Sequence, residues 1–164
     1  MATATLSRPR TGRPLAGLEP RRREEIVSDL NTSLAAMIDL ALNAKQAHWN
    51  VRGPNFQGLH ELFDLIAAAA RDYGDDIAER AVALGGIAHG TVDSVRGGTH
   101  GKFPDSETEW EPLVRAVHER VLAASEQARG FASELDDDLG TQDLYVEIIR
   151  GLDKWAWMLE AHLG

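Results

Sequence analysis
Four long stretches of this chain set apolar residues at helical spacing, and only one of the links joining them is long. The first runs over about 21–48 through Ile26, Leu30, Leu34, Met37, Ala41 and Ala44, with Pro20 in the first turn and Glu24 and Glu25 behind it. The turn signal Asn50-Val51-Arg52-Gly53-Pro54-Asn55 separates it from a second stretch over about 56–84. That stretch passes through Leu59, Phe63, Ile66, Ala70, Tyr73, Ile77 and Ala81 and is stopped by Gly85-Gly86. Residues 85–106 then carry six glycines and Pro104, a long crossover with one short helical piece around Val92. A third helix is expected over about 107–135, a turn over 136–140, and a fourth helix over about 142–162 through Leu144, Ile148, Leu152, Trp155 and Leu159. Strand-type alternation is absent. The expected fold class is therefore all-α, a four-helix bundle with a long crossover between helices two and three. Periodicity alone leaves several bundle families open.

A length of 164 residues suits one domain and buries enough surface to fold without disulfides. There is no cysteine, which excludes thiolate-bound zinc, iron–sulfur clusters, thiol nucleophiles and disulfide scaffolds. The net charge of −9 conceals a division. The first 23 residues hold six arginines (Arg8, Arg10, Arg13, Arg21, Arg22 and Arg23) against Glu19 alone, a local charge of +5. The other 141 residues hold 11 basic and 25 acidic side chains, a charge of −14. Residues 1–20 lack the apolar run of a secretory signal, and Pro9, Gly12, Pro14 and Gly17 interrupt any targeting helix there. They read as a flexible basic arm on a cytoplasmic protein, with residues 21–164 as the bundle domain. The longest apolar run, Leu65–Ala70, is far below the ~20 residues that span a bilayer, so no membrane partner is expected.

The second helix carries His60, Asp64, Asp75 and Glu79, paired at i,i+4. With Phe63 as zero they fall at roughly +60°, +100°, +120° and +160°, beside an apolar stripe between about −80° and 0°. Asp64 and Asp75 are about 16 Å apart along the axis, too far to share one cation, whose ligands lie within roughly 2–2.6 Å. Two copies of the helix packed antiparallel about a two-fold axis would bring His60 and Asp64 of one chain to Asp75 and Glu79 of the other. Such a His/carboxylate cluster suits iron(II), manganese or zinc. His48 has the phase of Leu30 on the first helix and lies just before the turn that His60 follows. A solvated helix face also carries acids, and spacing alone leaves both readings open. No Asp/Glu-x-x-His occurs, against an intra-bundle di-iron site, and His60-Glu61-Leu62-Phe63-Asp64 lacks the second histidine of a zincin helix.

The segments Ala47-His48-Trp49-Asn50-Val51-Arg52-Gly53-Pro54-Asn55-Phe56, His60-Glu61…Asp64, Asp75-x-x-x-Glu79-Arg80-Ala81 and Leu84-Gly85-Gly86 closely resemble the Dps family of mini-ferritins. The run Asp153-Lys154-Trp155-x-Trp157-Met158-Leu159-Glu160-Ala161-His162 resembles that family's last helix, so the resemblance spans about residues 21–163. It implies a ferritin-like bundle assembled as a hollow dodecamer, with ferroxidase sites at two-fold interfaces. The implied iron ligands are His48, His60 and Asp64 from one subunit and Asp75 and Glu79 from its partner; none of the five positions is substituted. The implied chemistry is oxidation of Fe(II) by hydrogen peroxide, or by dioxygen, with ferric mineral stored inside.

Further expectations attach to this frame. Trp49 follows a ligand and either donates electrons or simply packs. Trp155 and Trp157 belong to the core or an interface. His89 and His100 in the crossover are candidates for an extra metal, and spacing does not favour that role. Among the acids at the start of the fourth helix, Asp136, Asp137, Asp138 and Asp143, a pore role falls to Asp138 and Asp143; a helix N-terminus favours acids for its dipole alone. Arg8, Arg10 and Arg13, with Arg21, Arg22 and Arg23, suit phosphate neutralisation on DNA without reading sequence. The acidic body opposes that attraction, and Arg21–Arg23 have Glu24 and Glu25 as nearby ion-pair partners. Two rivals stand beside a nucleoid-associated ferroxidase: a nucleoid-compacting protein with a weak iron site, and a bundle whose acidic stripe only holds a dimer.

Overall fold
Pro20 opens α1 (Pro20–Asn50) in the computed structural model, which describes residues 17–96 and 101–164. A proline suits a first helical turn because its missing N–H is one of the donors left unsatisfied there. α2 (Phe56–Ala83), a short α3 (Val92–Arg96), α4 (Trp110–Ala132) and α5 (Leu139–Leu163) follow. Among the described residues there is no strand, only an isolated bridge between Arg52 and Glu109. The four long helices and the short one near Val92 match the expected all-α pattern.

Two helix starts differ from the periodicity, each for a polar reason. α4 begins at Trp110 because the Glu107 carboxylate accepts the N–H groups of Thr108 and Glu109 at 2.7 and 2.8 Å and turns the chain. α5 begins at Leu139 because Asp138 is its N-cap, accepting the Thr141 N–H at 3.3 Å.

Cross-helix contacts fix the directions. Arg22 reaches Asp137 and Arg120 reaches Asp39, so α1 runs antiparallel to α4. Tyr73 lies against Gly151 and Arg80 bonds Asp138, so α2 runs antiparallel to α5. With both hairpins antiparallel, α2 and α4 run the same way and the link between them must travel the length of the bundle. That crossover is tied down by the Asn31 amide, which donates to the Ile87 carbonyl at 2.9 Å and accepts the His89 N–H at 2.7 Å. Farther on, Phe103 is buried beneath the Arg120 guanidinium at 4.9 Å, and Arg120 donates to the Gly101 carbonyl at 2.7 Å.

Leu30, Leu59, Phe63, Ile77, Leu113, Val117 and Leu159 are fully buried where the four helices face one another. Each large apolar side chain removed from water contributes about 1.5–3 kcal/mol. A polar pair lies within this core: the Ser33 and Tyr145 hydroxyls at 3.0 Å, with the Tyr145 phenol pushed far above its usual range by burial.

Gly151, inside α5, lets α2 approach. Alanine ordinarily gains about 1 kcal/mol over glycine in a helix interior. Here a Cβ would overlap the Tyr73 hydroxyl and lie 2.8 Å from its Cζ. Gly151→Ala is therefore expected to destabilise by about 1–3 kcal/mol, read from urea midpoints. In a Tyr73→Ala background the same change should raise the midpoint; a raised midpoint with Tyr73 in place overturns the explanation.

Candidate metal centre
The turn between α1 and α2 determines where the histidines meet. Gly53 has φ 121°, and a Cβ there would lie 2.8 Å from Cδ1 of Trp110, so conformation and space both call for glycine. The reversal sets the last turn of α1 against the first turns of α2. The His48 and His60 rings stack there with centroids 3.7 Å apart and 23° between planes. Nδ1 of His48 is 2.6 Å from the His60 carbonyl oxygen, and Nδ1 of His60 is 2.8 Å from the His48 carbonyl oxygen. A carbonyl only accepts, so each Nδ1 carries the proton and donates it. Both rings are thereby held in the tautomer whose Nε2 has a lone pair for a metal.

Asp64 follows His60 by one turn of α2 and is half-exposed. Its Oδ1 accepts from Nζ of Lys45 on α1 at 2.5 Å. That hydrogen bond holds the Asp64 carboxyl below its usual range against the opposing effect of desolvation, with help from the charges of Lys45 and Arg71. Lys45 was not among the expected residues, although its place three positions before His48 puts both on one face of α1. The Lys45 ammonium is also 5.9 Å from the ring of Trp49, whose indole is largely exposed.

Asp75 and Glu79 are exposed on α2 and are not brought to the histidines within one chain. Among the described residues, no three His, Asp or Glu side chains are placed to hold one cation. The helical rise already required this separation. Asp75 borders an apolar groove of about 340 Å³ lined by Leu34, Ile38, Ala41, Ala70, Gly74 and Ala78. Glu79 borders a different cleft of about 470 Å³, shared with Asp76, Asp143 and Glu147.

The expected pore acids separate. Asp138 is a correction: its side chain is only 4% exposed, paired with Arg80 at 2.7 Å and accepting the Thr141 hydroxyl at 2.5 Å. Burial pushes its carboxyl up, but the bonds from Thr141 and Arg80 pull it further down, so it stays ionised as a structural cap. Asp143 and Asp136 are exposed. Asp137 takes Arg22 at 2.9 Å.

Arg22 is paired within the chain: its guanidinium also donates to the Glu134 carbonyl and lies 3.7 Å from Glu25, so a phosphate would have to displace these partners. Arg21 is almost fully exposed and pairs with Glu25 at 3.2 Å; Arg23 is half-buried. Arg8, Arg10, Arg13 and His100 lie outside the described residues. His89 is exposed. Trp155 is half-buried with its indole against Tyr73, whereas Trp157 is 64% exposed and so is not a core residue of the isolated chain. Among the described residues no helix is long and apolar enough to cross a membrane.

Comparison with known proteins bears on this arrangement. The ferritin-like domain family matches residues 27–164. The DNA protection during starvation protein of Agrobacterium fabrum is 38% identical over 149 residues, covering 89% of this chain and 92% of that one. Its counterpart in Mycolicibacterium smegmatis is 31% identical over 151 residues, covering 91% and 82%. Among solved structures, Dps from Microbacterium arborescens in the high iron form superposes with a TM-score of 0.84 at 38% identity, covering 90% of this chain and 98% of that chain. The tetragonal form of Mycobacterium smegmatis Dps gives 0.87 at 30% identity, covering 93% and 94%.

Proposed function
We propose that this chain, which belongs to the Dps family of ferritin-like proteins, oxidises Fe(II) at sites shared between two copies and stores the ferric product in a twelve-subunit shell. The observation that carries the reading is the His48–His60 clamp, which leaves two Nε2 lone pairs free on α1 and α2, one helical turn from Asp64. Imidazole with carboxylate suits Fe(II). Asp75 and Glu79 of the partner subunit complete the set in an antiparallel pairing of α2. The apolar groove beside Asp75, bordered by Leu42 of α1, which is 61% exposed, supports that pairing.

Iron is the substrate here. Two Fe(II) each give one electron to one hydrogen peroxide, its O–O bond breaks, and both oxygens leave as hydroxide or water. Because both electrons arrive together, no hydroxyl radical is released, which protects DNA chemically. Anionic carboxylates favour the more highly charged Fe(III), and the acidic body suits drawing cations to a mineral cavity. A cytoplasmic, nucleoid-associated protein fits this role. His60→Ala and Asp75→Ala are each expected to keep the particle mass and lose most peroxide-driven Fe(II) oxidation. Wild-type rates in either variant overturn the site; a monomeric mass overturns the shell.

Non-specific DNA binding is the second part of the proposal and rests on Arg8, Arg10, Arg13 and Arg21. Affinity should fall about 0.9 decade per decade of salt for each phosphate contacted. Many arms on one particle bind multivalently. A variant lacking residues 1–20 is expected to lose the low-salt gel shift and keep its iron oxidation. Identical shifts with and without those residues show that the arm is not the binder.

A further inference from the structure
We propose that the outward face of α5 is a second self-association surface, on which copies of this chain meet head to tail with Trp157 as the apolar anchor. This assignment rests on the twelve-subunit shell. An antiparallel pairing of α2 is isologous and closes at two copies, so a larger closed particle needs a further contact on another face. A two-fold contact on α5 would give only rings or chains of pairs, whereas a head-to-tail contact about a three-fold axis closes a shell.

Helical phase aligns the residues of this face. With Leu139 as zero, Val146 and Trp157 fall within roughly 20° of it, and Arg150, Asp143, Lys154 and Glu147 between roughly +20° and +80°. All seven are exposed, while Thr141, Tyr145, Ile148, Leu152 and Leu159 are buried on the opposite side. Leu139 is 71% exposed, Val146 41% and Trp157 64%. Single apolar residues scattered on a surface are ordinary. These three instead lie on one line along about 27 Å of helix.

Charge identifies the occupant as another copy of the same face. Asp143 and Glu147 lie in the N-terminal half of α5, Arg150 and Lys154 in the C-terminal half. Asp143, Glu147 and Arg150 have no ion pair among the described residues, and Lys154 only lies 4.9 Å over the Trp155 ring. A helix dipole favours acids first and bases last, but its effect falls off within a turn of each end. Glu147 stands eight residues past the start of α5 and Arg150 thirteen before its end, so the dipole does not account for them. Within the helix, the like-charged pairs Asp143/Glu147 and Arg150/Lys154 are each spaced i,i+4 and mildly repel. Head to tail, the acidic half of one α5 faces the basic half of the next, and Leu139 and Val146 cover the Trp157 indole. A tryptophan ringed by charges is the composition of an interface anchor, whose truncation weakens association about thirtyfold or more.

Sedimentation velocity on the full chain tests the contact, comparing wild type with Trp157→Ala, Glu147→Lys, Lys154→Glu and the double charge exchange. Wild type is expected at twelve copies and Trp157→Ala at two, with unchanged helical circular dichroism. The pairs should keep the initial rate of peroxide-driven Fe(II) oxidation, because the two-fold site is intact, while their ferric product precipitates instead of staying in solution. Each single charge reversal should shift the protein toward pairs at low salt, and Glu147→Lys combined with Lys154→Glu should regain the shell. Wild type at twelve with Trp157→Ala also at twelve refutes the contact and leaves the shell standing. So does a single charge variant that stays assembled, or a double variant that does not reassemble. Trp157→Ala falling to single chains refutes a surface separate from the α2 pairing. Wild type at two copies removes the shell and this contact together.

Discussion

Co-assembled in equal amounts, the inactive variants His60→Ala and Asp75→Ala are expected to recover about one quarter of the wild-type rate of peroxide-driven Fe(II) oxidation. The figure follows from the two-fold pairing. Random assembly makes half the dimers mixed. In a mixed dimer one site receives both lesions, and the other combines an intact His48/His60/Asp64 set with an intact Asp75/Glu79 pair. One working site of two, in half the dimers, is a quarter of the whole. Alone, each variant loses a ligand and should fall beyond the roughly 10–100-fold that outer partners of a metal site cost. A site built within one chain would give no recovery on mixing. The initial rate of ferric absorbance, compared among the two parents, the mixture and wild type at equal protein, decides between these outcomes.

Arg80→Ala should destabilise the fold by about 3 kcal/mol, because it leaves the buried Asp138 carboxylate without its cation, and Asp138→Ala should cost a similar amount, because it strands the partly exposed Arg80 and the Thr141 donors together. Asp138 holds three links at once: Arg80 from α2 at 2.7 Å, the Thr141 hydroxyl at 2.5 Å and the Thr141 N–H at 3.3 Å. Removing it also uncaps α5. Replacing both partners by apolar residues of similar volume should cost far less than either single change. The folded state depresses the Asp138 carboxyl, so its contribution is fully present above the ordinary carboxyl value near about 3.9 and is lost as pH falls through the depressed one. The gap between wild type and Arg80→Ala should therefore be wide at pH 7 and close in strong acid. Urea unfolding at a fixed protomer concentration measures it. A gap that is small at pH 7, or that widens on acidification, contradicts the pairing.

Periodicity was a good guide where burial sets structure. Leu30, Phe63, Ile77 and Leu152 lie on the expected inward faces and are buried. It misplaced the starts of α4 and α5, where the Glu107 and Asp138 side chains bond backbone N–H groups, interactions that leave no trace in an apolar pattern. The same blindness assigned Asp138 to a pore and hid the distant partner of Arg22. An acid at a helix start and an arginine in a basic run look solvent-facing until a distant partner is seen. Arg22 meets Asp137 at a separation of 115 residues.

For the site, helical geometry alone put His60 and Asp64 one turn apart and showed that Asp75 lies too far along α2 to join them. Those statements depend only on rise and twist per residue, which sequence position specifies. The phase of His48 likewise placed it near His60 across one turn. Only the tertiary structure decided which imidazole nitrogens are free, because that depends on a carbonyl twelve residues away in each case. Only it set Lys45 against Asp64, nineteen residues apart on facing helices. Local periodicity specifies the face of a helix a residue occupies; the hydrogen bond that sets its chemistry depends on the chain that packs against that face.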